Sequence, residues 1–253
     1  MNRARFRFHE ELNDFLPRRK RHTTIVHPFD WRASIKDMIE SLGVPHSEIE
    51  AILVHDQPVG FDHIVADGDD VIVFPRFEDA LHTDGSALPV ESRLRPPIPP
   101  KPRFVLDIHL GRLAAYLRML GFDSVWRNDI HDEDLAQVAH DERRVLLTRD
   151  GGCLKRSPVI YGYFVRSTNP KKRIAEVMDR FNLAEQVELF KHCMKCNGLV
   201  KRVDKTAVMD RLTHETADHF DEFHLCLSCE RIYWKGSHYQ RMQKLIAELL
   251  PAM

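Results

Sequence analysis

The apolar positions in the first 80 residues switch between the periods of strands and of a helix. Residues 3–9 alternate polar and apolar side chains, as a half-buried strand does, and apolar runs at 52–55 and 71–74 predict further strands. Between these segments, apolar residues recur at helical spacing before a glycine that can end a helix: Ile35, Met38, Ile39, Leu42 and Gly43. This order predicts a small α+β domain of the β-grasp type over residues 1–81.

From residue 103 to 187 the pattern alternates between short apolar segments and helical faces. The predicted strands lie at 103–107, 122–127, 144–150 and 162–165. Helical spacing in the segments that follow marks three amphipathic helices, and Asn169-Pro170 is a typical start for the last one. Such alternation predicts an α/β fold in which a parallel sheet is flanked by helices.

Proline-rich residues 82–102 separate these two regions. The segment lacks apolar periodicity and contains six prolines, Pro89, Pro96, Pro97, Pro99, Pro100 and Pro102. This composition predicts an extended, semi-rigid spacer, and we interpret it as a tether rather than a docking motif for proline-binding domains. The domains on either side are therefore expected to fold independently.

Two cysteine pairs near the C-terminus have the spacing of a zinc site: Cys193, Cys196, Cys226 and Cys229. Asn197-Gly198 supplies the backbone freedom that such a turn needs. Two disulfides or four buried thiols are the alternatives, but Cys153 leaves an odd cysteine, interpreted as an inert thiol, and no secretory signal is recognisable. We predict a zinc ribbon with a C-terminal helix over 188–253, and the 29 residues between the pairs should loop out and carry a helix.

The two parts of the chain also differ in net charge. The chain has 37 basic and 38 acidic side chains, but residues 1–81 carry a net charge of −5 and residues 82–253 a net charge of +4. A polyanionic partner should therefore prefer the second part. No apolar run is long enough to span a bilayer, so we expect a soluble, cytoplasmic protein.

Aspartates fall where the predicted parallel sheet would place a site. Asp107 and Asp150 end two apolar strands, and Asp129 and Asp132 follow another. Carboxylates gathered at this edge of a sheet repel one another unless a divalent cation, magnesium or manganese, neutralises them. A metal-dependent nuclease uses such an ion. The alternatives are a helix cap for Asp132 and a solvated loop for Asp129.

Longer motifs carry a family resemblance. Residues 104–122, Val145-Leu-Leu-Thr-Arg-Asp150 and Gly162-Tyr-Phe-Val-Arg-Ser167 resemble the Mut-seven-C ribonuclease family, whose core is similar to the PIN nucleases. The cysteine pairs and residues 232–238 are similar to the C-terminal ribbon of that family. Through the segments 11–16, 39–45 and 67–75, residues 1–80 resemble the ubiquitin-like sulfur carriers of thiamine and molybdopterin synthesis. A ubiquitin-like domain before the nuclease module is a known arrangement in the family.

The resemblance implies a ribonuclease that acts on RNA, with single-stranded RNA as our expected substrate. Asp107, Asp132 and Asp150 match its acidic positions, which would hold magnesium or manganese, and Asp134 competes with Asp132. His109 stands where a hydrophobic residue is expected. The alternative is an adaptor that binds nucleic acid through its ribbon without cutting it.

For the ubiquitin-like domain, the sulfur carriers imply an activated Gly-Gly tail. Here the last strand continues into Pro75-Arg76-Phe77-Glu78 instead, which argues against sulfur carriage or a role as a regulator in a sulfur pathway. We therefore expect the domain to bind a protein partner or to act as a scaffold.

Basic side chains near these motifs are candidates for substrate binding. Phosphate contacts are predicted for Arg112, Arg118, Arg149, Lys155 and Arg156. Lys235 and His238 lie in the block 233–239, which interleaves aromatic and basic residues as base-stacking surfaces do. Its aromatic residues Tyr233 and Trp234 have the alternative role of packing the ribbon against the core.

Overall fold

The computed structural model describes residues 1–75 and 92–237, together with Tyr239, Gln240, Gln243, Lys244 and Ala247. The chain forms two compact units. Unit 1 joins Met1–Ile98 with Asp132–Phe164, and unit 2 joins Pro99–His131 with Val165–Met253. No helix in the described part of the chain has the length and apolar character that crossing a bilayer requires.

Unit 1 begins with a five-stranded mixed sheet in the order β2-β1-β5-β3-β4. Its strands are β1 Asn2–Phe8, β2 Ile25–Phe29, β3 Ile49–Val54, β4 Gln57–Pro58 and β5 Asp70–Pro75. β1 and β5 are parallel and the other neighbours are antiparallel. The hydrophobic pattern did not predict β2 and β4. Both lie at sheet edges and contain a proline, Pro28 and Pro58, which edge strands tolerate.

One helix, α1 Ile35–Leu42, completes this domain and has clear start and stop signals. Ser34 caps it by accepting a hydrogen bond from the Asp37 amide at 3.1 Å. Gly43 ends it with a φ of +117°, a conformation that favours glycine. Buried side chains of α1 and of the strands share one hydrophobic core, so the predicted β-grasp order is confirmed.

The remainder of unit 1 contains α3 Asp132–Asp141, β8 Val145–Thr148, α4 Gly151–Leu154 and β9 Tyr161–Phe164. β8 and β9 are parallel, and all four residues of β8 are buried, which explains why its first three residues are apolar. The short α4 was not predicted, because Gly151-Gly152 is a poor helix sequence.

Within unit 1, a 3-10 helix at His46–Glu48 contacts the segment from α4 to β9. The Ser47 hydroxyl donates a hydrogen bond to the Leu154 carbonyl at 2.8 Å, and His46 Nε2 lies 3.1 Å from the Val159 carbonyl oxygen. The Phe164 amide donates to the Glu48 carboxylate. The β-grasp domain is therefore joined to the α/β segment by buried polar contacts.

Residues Leu94 and Arg95 of the proline-rich segment are anchored in unit 1 as well. The Arg95 guanidinium donates hydrogen bonds to four backbone carbonyls, those of His46, Ser47, Ile49 and Ile160. Burial lowers its pKa. The Leu94 amide also donates to the Glu50 carbonyl at 2.9 Å. These contacts fix Leu94 and Arg95 to unit 1, and the interpretation of residues 82–102 as a tether stays a prediction.

Unit 2 contains the other parallel strand pair, β6 Phe104–Leu106 and β7 Ser124–Val125. Its two long helices, α2 Gly111–Met119 and α5 Pro170–Arg180, pack together. Asn169 caps α5, as predicted, by accepting from the Lys171 amide at 2.9 Å. Gly121 follows α2 with a φ of +94°, and a Cβ there would lie 2.3 Å from the Glu188 carbonyl oxygen, so only glycine fits.

A three-stranded antiparallel ribbon forms the rest of the described part of unit 2. Its strands are β10 Val200–Val203, β11 Phe223–Cys226 and β12 Ile232–Trp234, in that order. The segment between the cysteine pairs carries α6 His214–His219, which confirms the predicted helix. The predicted C-terminal helix lies largely outside the described residues. The predicted fold class is confirmed: parallel strands with flanking helices, an N-terminal sheet domain and a cysteine ribbon.

Candidate metal centre and strand-end carboxylates

The four paired cysteines come together in unit 2, and each offers a sulfur atom to a common centre. Cys193 Sγ lies 3.6 Å from Cys229 Sγ, and Cys196 Sγ lies 3.5 Å from Cys226 Sγ. All four sulfurs lie within 4.8 Å of one another, and no cysteine forms a disulfide. Zinc–sulfur bonds of about 2.3 Å in a tetrahedron place neighbouring sulfurs about 3.8 Å apart. The cluster could therefore hold a zinc ion.

The backbone at both turns is shaped to present these sulfurs. Asn197 and Glu230 each follow a cysteine pair with positive φ angles of 69° and 55°. A Cβ on Gly198 would lie 2.3 Å from the Ser228 hydroxyl and 3.2 Å from Cys226 Sγ. Glycine is therefore needed at 198 for close approach rather than for an unusual φ.

The thiols cannot all ionise without a cation between them. Burial opposes ionisation of Cys193, but the Tyr233 hydroxyl at 3.0 Å and backbone amides stabilise its thiolate and lower its pKa to about 6. Burial and the neighbouring cysteines raise the pKa of Cys196 to about 12. A divalent ion would remove this conflict by compensating the charge of the thiolates.

Arg118 joins the first cysteine turn to the α/β core of unit 2. Its side chain is buried and donates to the backbone carbonyls of Ser124, Met194, Lys195 and Trp126. Burial lowers its pKa. The prediction placed Arg118 at a phosphate, but its guanidinium is committed to carbonyl oxygens, so its position is that of a structural anchor.

Asn197 makes a second connection between the ribbon and the core. Its side-chain oxygen accepts a hydrogen bond from the Ser124 amide at 2.9 Å, and its nitrogen donates to Asp123 at 2.6 Å. The sequence indicated Asn197 only as a turn residue. No local pattern could reveal a partner more than 70 positions away.

The candidate catalytic aspartates stand at the ends of strands and the start of a helix. In unit 2, Asp107 directly follows β6, is buried, and accepts a hydrogen bond from the His109 amide at 2.8 Å. In unit 1, Asp150 follows β8 and accepts from the Gly152 amide at 2.7 Å. Asp132 is the first residue of α3, and Glu133 and Asp134 share its turn. An acidic first turn is favourable for the helix dipole.

The other basic residues predicted to contact phosphate differ in whether their side chains already form hydrogen bonds or ion pairs within the protein. Lys155 donates to the Glu40 carbonyl at 2.7 Å, and Arg156 lies 3.4 Å from the Glu133 carboxylate. Arg149 is half-buried beside Asp150. Arg112, in the first turn of α2, is exposed and makes no hydrogen bond or ion pair with the described residues.

The aromatic block at the end of the ribbon has mixed roles. Lys235 forms an ion pair with Glu222 at 2.7 Å. The Tyr233 ring reaches the cysteine cluster through its hydroxyl, and the Trp234 ring lies near Phe220, with ring centroids 6.5 Å apart. His238 lies outside the described residues. Both contacts lie within the ribbon, and the alternative role of Tyr233 and Trp234, packing the ribbon against the core, stays a prediction.

Two family models match the chain. The model described as Mut7-C RNAse domain matches residues 102–246, and the model described as Mut7-C ubiquitin matches residues 1–81. These matches confirm the family resemblance and the N-terminal ubiquitin-like domain. No curated protein and no solved structure shows significant similarity to the chain.

Proposed function

Because the chain belongs to the Mut7-C RNAse domain family, we propose that it is a metal-dependent endoribonuclease that cleaves single-stranded RNA. Asp107, Asp132 and Asp150 are its proposed ligands for magnesium or manganese. The observation that carries the proposal is the placement of Asp107 and Asp150, each directly after a buried strand of a parallel pair. Open α/β sheets bind ligands at that end of their strands.

The donor set suits a hard divalent cation. Carboxylate oxygens are the ligands that magnesium and manganese prefer. Within the described residues, the Asp132 carboxylate and Oδ2 of Asp150 have no hydrogen-bond partner, and both residues are exposed. When bound, the ion would lower the pKa of a water molecule and stabilise charge on a phosphodiester oxygen.

The protein's own side chains would position the strand. Arg112 is the candidate phosphate contact with the least competition, and Arg149 adjoins the proposed ligand Asp150. Such contacts hold a nucleic acid without reading its sequence. Lys155, Arg156, Lys235 and His238 remain secondary candidates, since the first three would have to exchange present partners for phosphate.

Two further parts complete the proposal. We assign zinc to the cluster of four cysteines as a structural ion, and we propose a reducing compartment such as the cytoplasm, where cysteines of this kind serve as metal ligands rather than forming disulfides. The ubiquitin-like domain acts as a scaffold and can bind a protein partner. Its buried contacts through Ser47 and Glu48 support the scaffolding role.

Cleavage of a single-stranded RNA by wild type and Asp150→Asn tests the catalytic assignment. Zinc is kept bound, and magnesium or manganese is added to otherwise metal-free buffer at fixed salt. We expect metal-dependent cleavage by wild type and a loss of several orders of magnitude in Asp150→Asn, because the change removes a ligand charge at nearly constant volume. Asp218→Asn, an exposed aspartate on α6, controls for the loss of one negative charge.

Two results would contradict the ribonuclease assignment. Equal activity of wild type and Asp150→Asn would mean that this carboxylate holds no catalytic ion. Absence of cleavage by wild type, with RNA binding retained, would support the non-catalytic adaptor instead. Comparing Asp132→Asn with Asp134→Asn decides which residue of the α3 turn completes the set.

A further inference from the structure

A pocket of about 310 Å³ opens in unit 2 between α2 and the ribbon. We call it the ribbon pocket. Its volume lies in the range of small-ligand sites, and its exposed lining is mainly apolar. Six of its lining residues carry the argument: Met119, Phe190, Lys195, Arg231, Trp234 and Tyr239.

Flat aromatic rings give the ribbon pocket a surface suited to stacking. The Phe190 ring is nearly parallel to His224, with centroids 4.5 Å apart, and to Tyr239, with centroids 5.2 Å apart. Tyr239 stands at the end of this three-ring stack and makes no other ring contact among the described residues. A planar ligand could extend the stack on Tyr239.

Two cations beside these rings are uncommitted. Lys195 and Arg231 are exposed, and neither side chain makes a hydrogen bond or ion pair within the part of the chain that the structure describes. Lys235, which does not line the ribbon pocket, is neutralised by Glu222. Stacking rings next to unpaired positive charges fit a ligand that joins a planar base to phosphate. An apolar protein side chain would make no use of the cations.

We propose that the ribbon pocket holds one unstacked base of single-stranded RNA, with adjoining phosphates on Lys195 and Arg231. The proposal deepens the ribonuclease function and rests on it, since it assumes that the chain acts on RNA. Met119 is the last residue of α2, and that helix starts four residues after Asp107. At a rise of 1.5 Å per residue, α2 spans about 12 Å. Within unit 2, the ribbon pocket therefore lies at the other end of α2 from Asp107, the proposed metal ligand of that unit.

Affinity for a fluorescent single-stranded RNA, measured by anisotropy without magnesium or manganese, tests the site. Tyr239→Leu should weaken binding about 5- to 150-fold, the range found for loss of one base–aromatic stack, while Tyr239→Phe should bind as wild type does. A single abasic position moved along the RNA should weaken wild type at one place and leave Tyr239→Leu unaffected. This pattern distinguishes base stacking from general damage to the ribbon.

The charge contribution is measured by salt dependence. Lys195→Gln with Arg231→Gln should reduce the slope of log affinity against log salt by about 1.4, since each phosphate contact to a single strand contributes about 0.7. Lys201→Gln, an exposed cation on β10 outside the ribbon pocket, is the matched control and should leave the slope nearly unchanged.

Parallel cleavage assays separate this inference from the ribonuclease proposal. If wild type cleaves RNA and Tyr239→Leu binds it as tightly as wild type, the base site is wrong and the ribonuclease stands. If Tyr239→Leu loses affinity although wild type never cleaves, the base site stands and the catalysis is wrong. Binding of a protein, or of this chain's own C-terminal residues, in the ribbon pocket without an effect of Tyr239→Leu on RNA would also overturn the inference.

Discussion

The cysteine cluster and the strand-end aspartates are both sets of metal-binding side chains, but the chain supports them in different ways. The sulfurs face one another at 3.5–3.6 Å, and the ring hydroxyl of Tyr233 also approaches one of them. Asp107 and Asp150 each accept a hydrogen bond from a backbone amide two residues later, and Cys226 Sγ likewise lies 3.4 Å from the Ser228 amide. The difference is that the four sulfurs lie within 4.8 Å of one another and compete for ionisation, whereas each of these aspartates caps its own turn.

This difference separates a metal that is needed for folding from a metal that is needed for chemistry. Four thiols held together compete for ionisation, as the opposite pKa shifts of Cys193 and Cys196 indicate. Metal binding to such a site is coupled to folding. A capping carboxylate keeps its position without any ion, so a catalytic cation could leave and return while the surrounding fold persists.

The largest effect is expected from breaking the cysteine cluster. Zinc removal or Cys226→Ser should unfold residues 193–234, because binding to four thiolates is worth on the order of 10 kcal/mol and exists only in the folded state. Hydrogen exchange followed by mass spectrometry should show lost amide protection in β10, β11 and β12. Zinc analysis of the same samples should give one ion per wild-type chain and none for the variant.

Cys153→Ala is the matched control for that experiment. Cys153 is a buried residue of α4 and does not belong to the cysteine cluster. The substitution should therefore leave the zinc content and the amide protection of the ribbon unchanged. Wild-type protection in zinc-free Cys226→Ser protein would show that the cluster forms without metal, and the contrast with the aspartates would be lost.

A smaller effect should follow from removing the Arg118 hydrogen bonds that connect the ribbon to the α/β core of unit 2. Arg118→Met removes the donors to four carbonyls, and leaving such groups unsatisfied should cost roughly 2–4 kcal/mol in the free energy of unfolding. The control Arg112→Met changes an exposed arginine six residues earlier on α2 and should cost almost nothing. Chemical denaturation of zinc-loaded protein measures both, and equal costs would mean that Arg118 is no anchor.

Sequence patterns predicted the features that depend on neighbouring residues. The cysteine spacing, the start of α5 at Asn169-Pro170 and the end of α1 at Gly43 were all predicted, because each signal lies within a few positions. The alternation of strands and helices was also predicted, since β6 and β8 are wholly buried and are therefore mainly apolar. Edge strands carrying prolines lacked such a signal.

Roles that depend on distant partners were not predictable from pattern. Arg118 and Arg95 look like surface cations in a sequence, and only the fold surrounds them with carbonyl oxygens. Lys195 and Arg231, in contrast, are exposed cations for which the sequence predicted no role in binding. Lys195 lies inside the first cysteine pair and Arg231 follows the second, and both gain significance only because Phe190 and Tyr239 lie beside them in the ribbon pocket. Charge alone did not reveal which cations are committed and which remain available.

The smallest effect is expected at the capping aspartates, where substitution of Asp150 should change the free energy of unfolding only slightly. Asp150→Asn should change the free energy of unfolding by only a few tenths of a kcal/mol without magnesium, because asparagine caps a helix about as well as aspartate, whereas Asp150→Ala should cost about 1 kcal/mol. Denaturation of zinc-loaded protein by urea measures both variants.

Adding magnesium then distinguishes a cap from a ligand. An ion that binds only the folded state stabilises the wild type in proportion to the logarithm of its concentration above the dissociation constant. Asp150→Asn retains the cap but loses the ligand charge, so its unfolding should respond much less to magnesium than that of wild type. A large loss of stability in Asp150→Asn without magnesium would mean that the charge itself holds the turn between β8 and α4. In that case Asp150, like the cysteines, would be needed for folding. It would then not belong to a set of residues whose role is catalytic rather than structural.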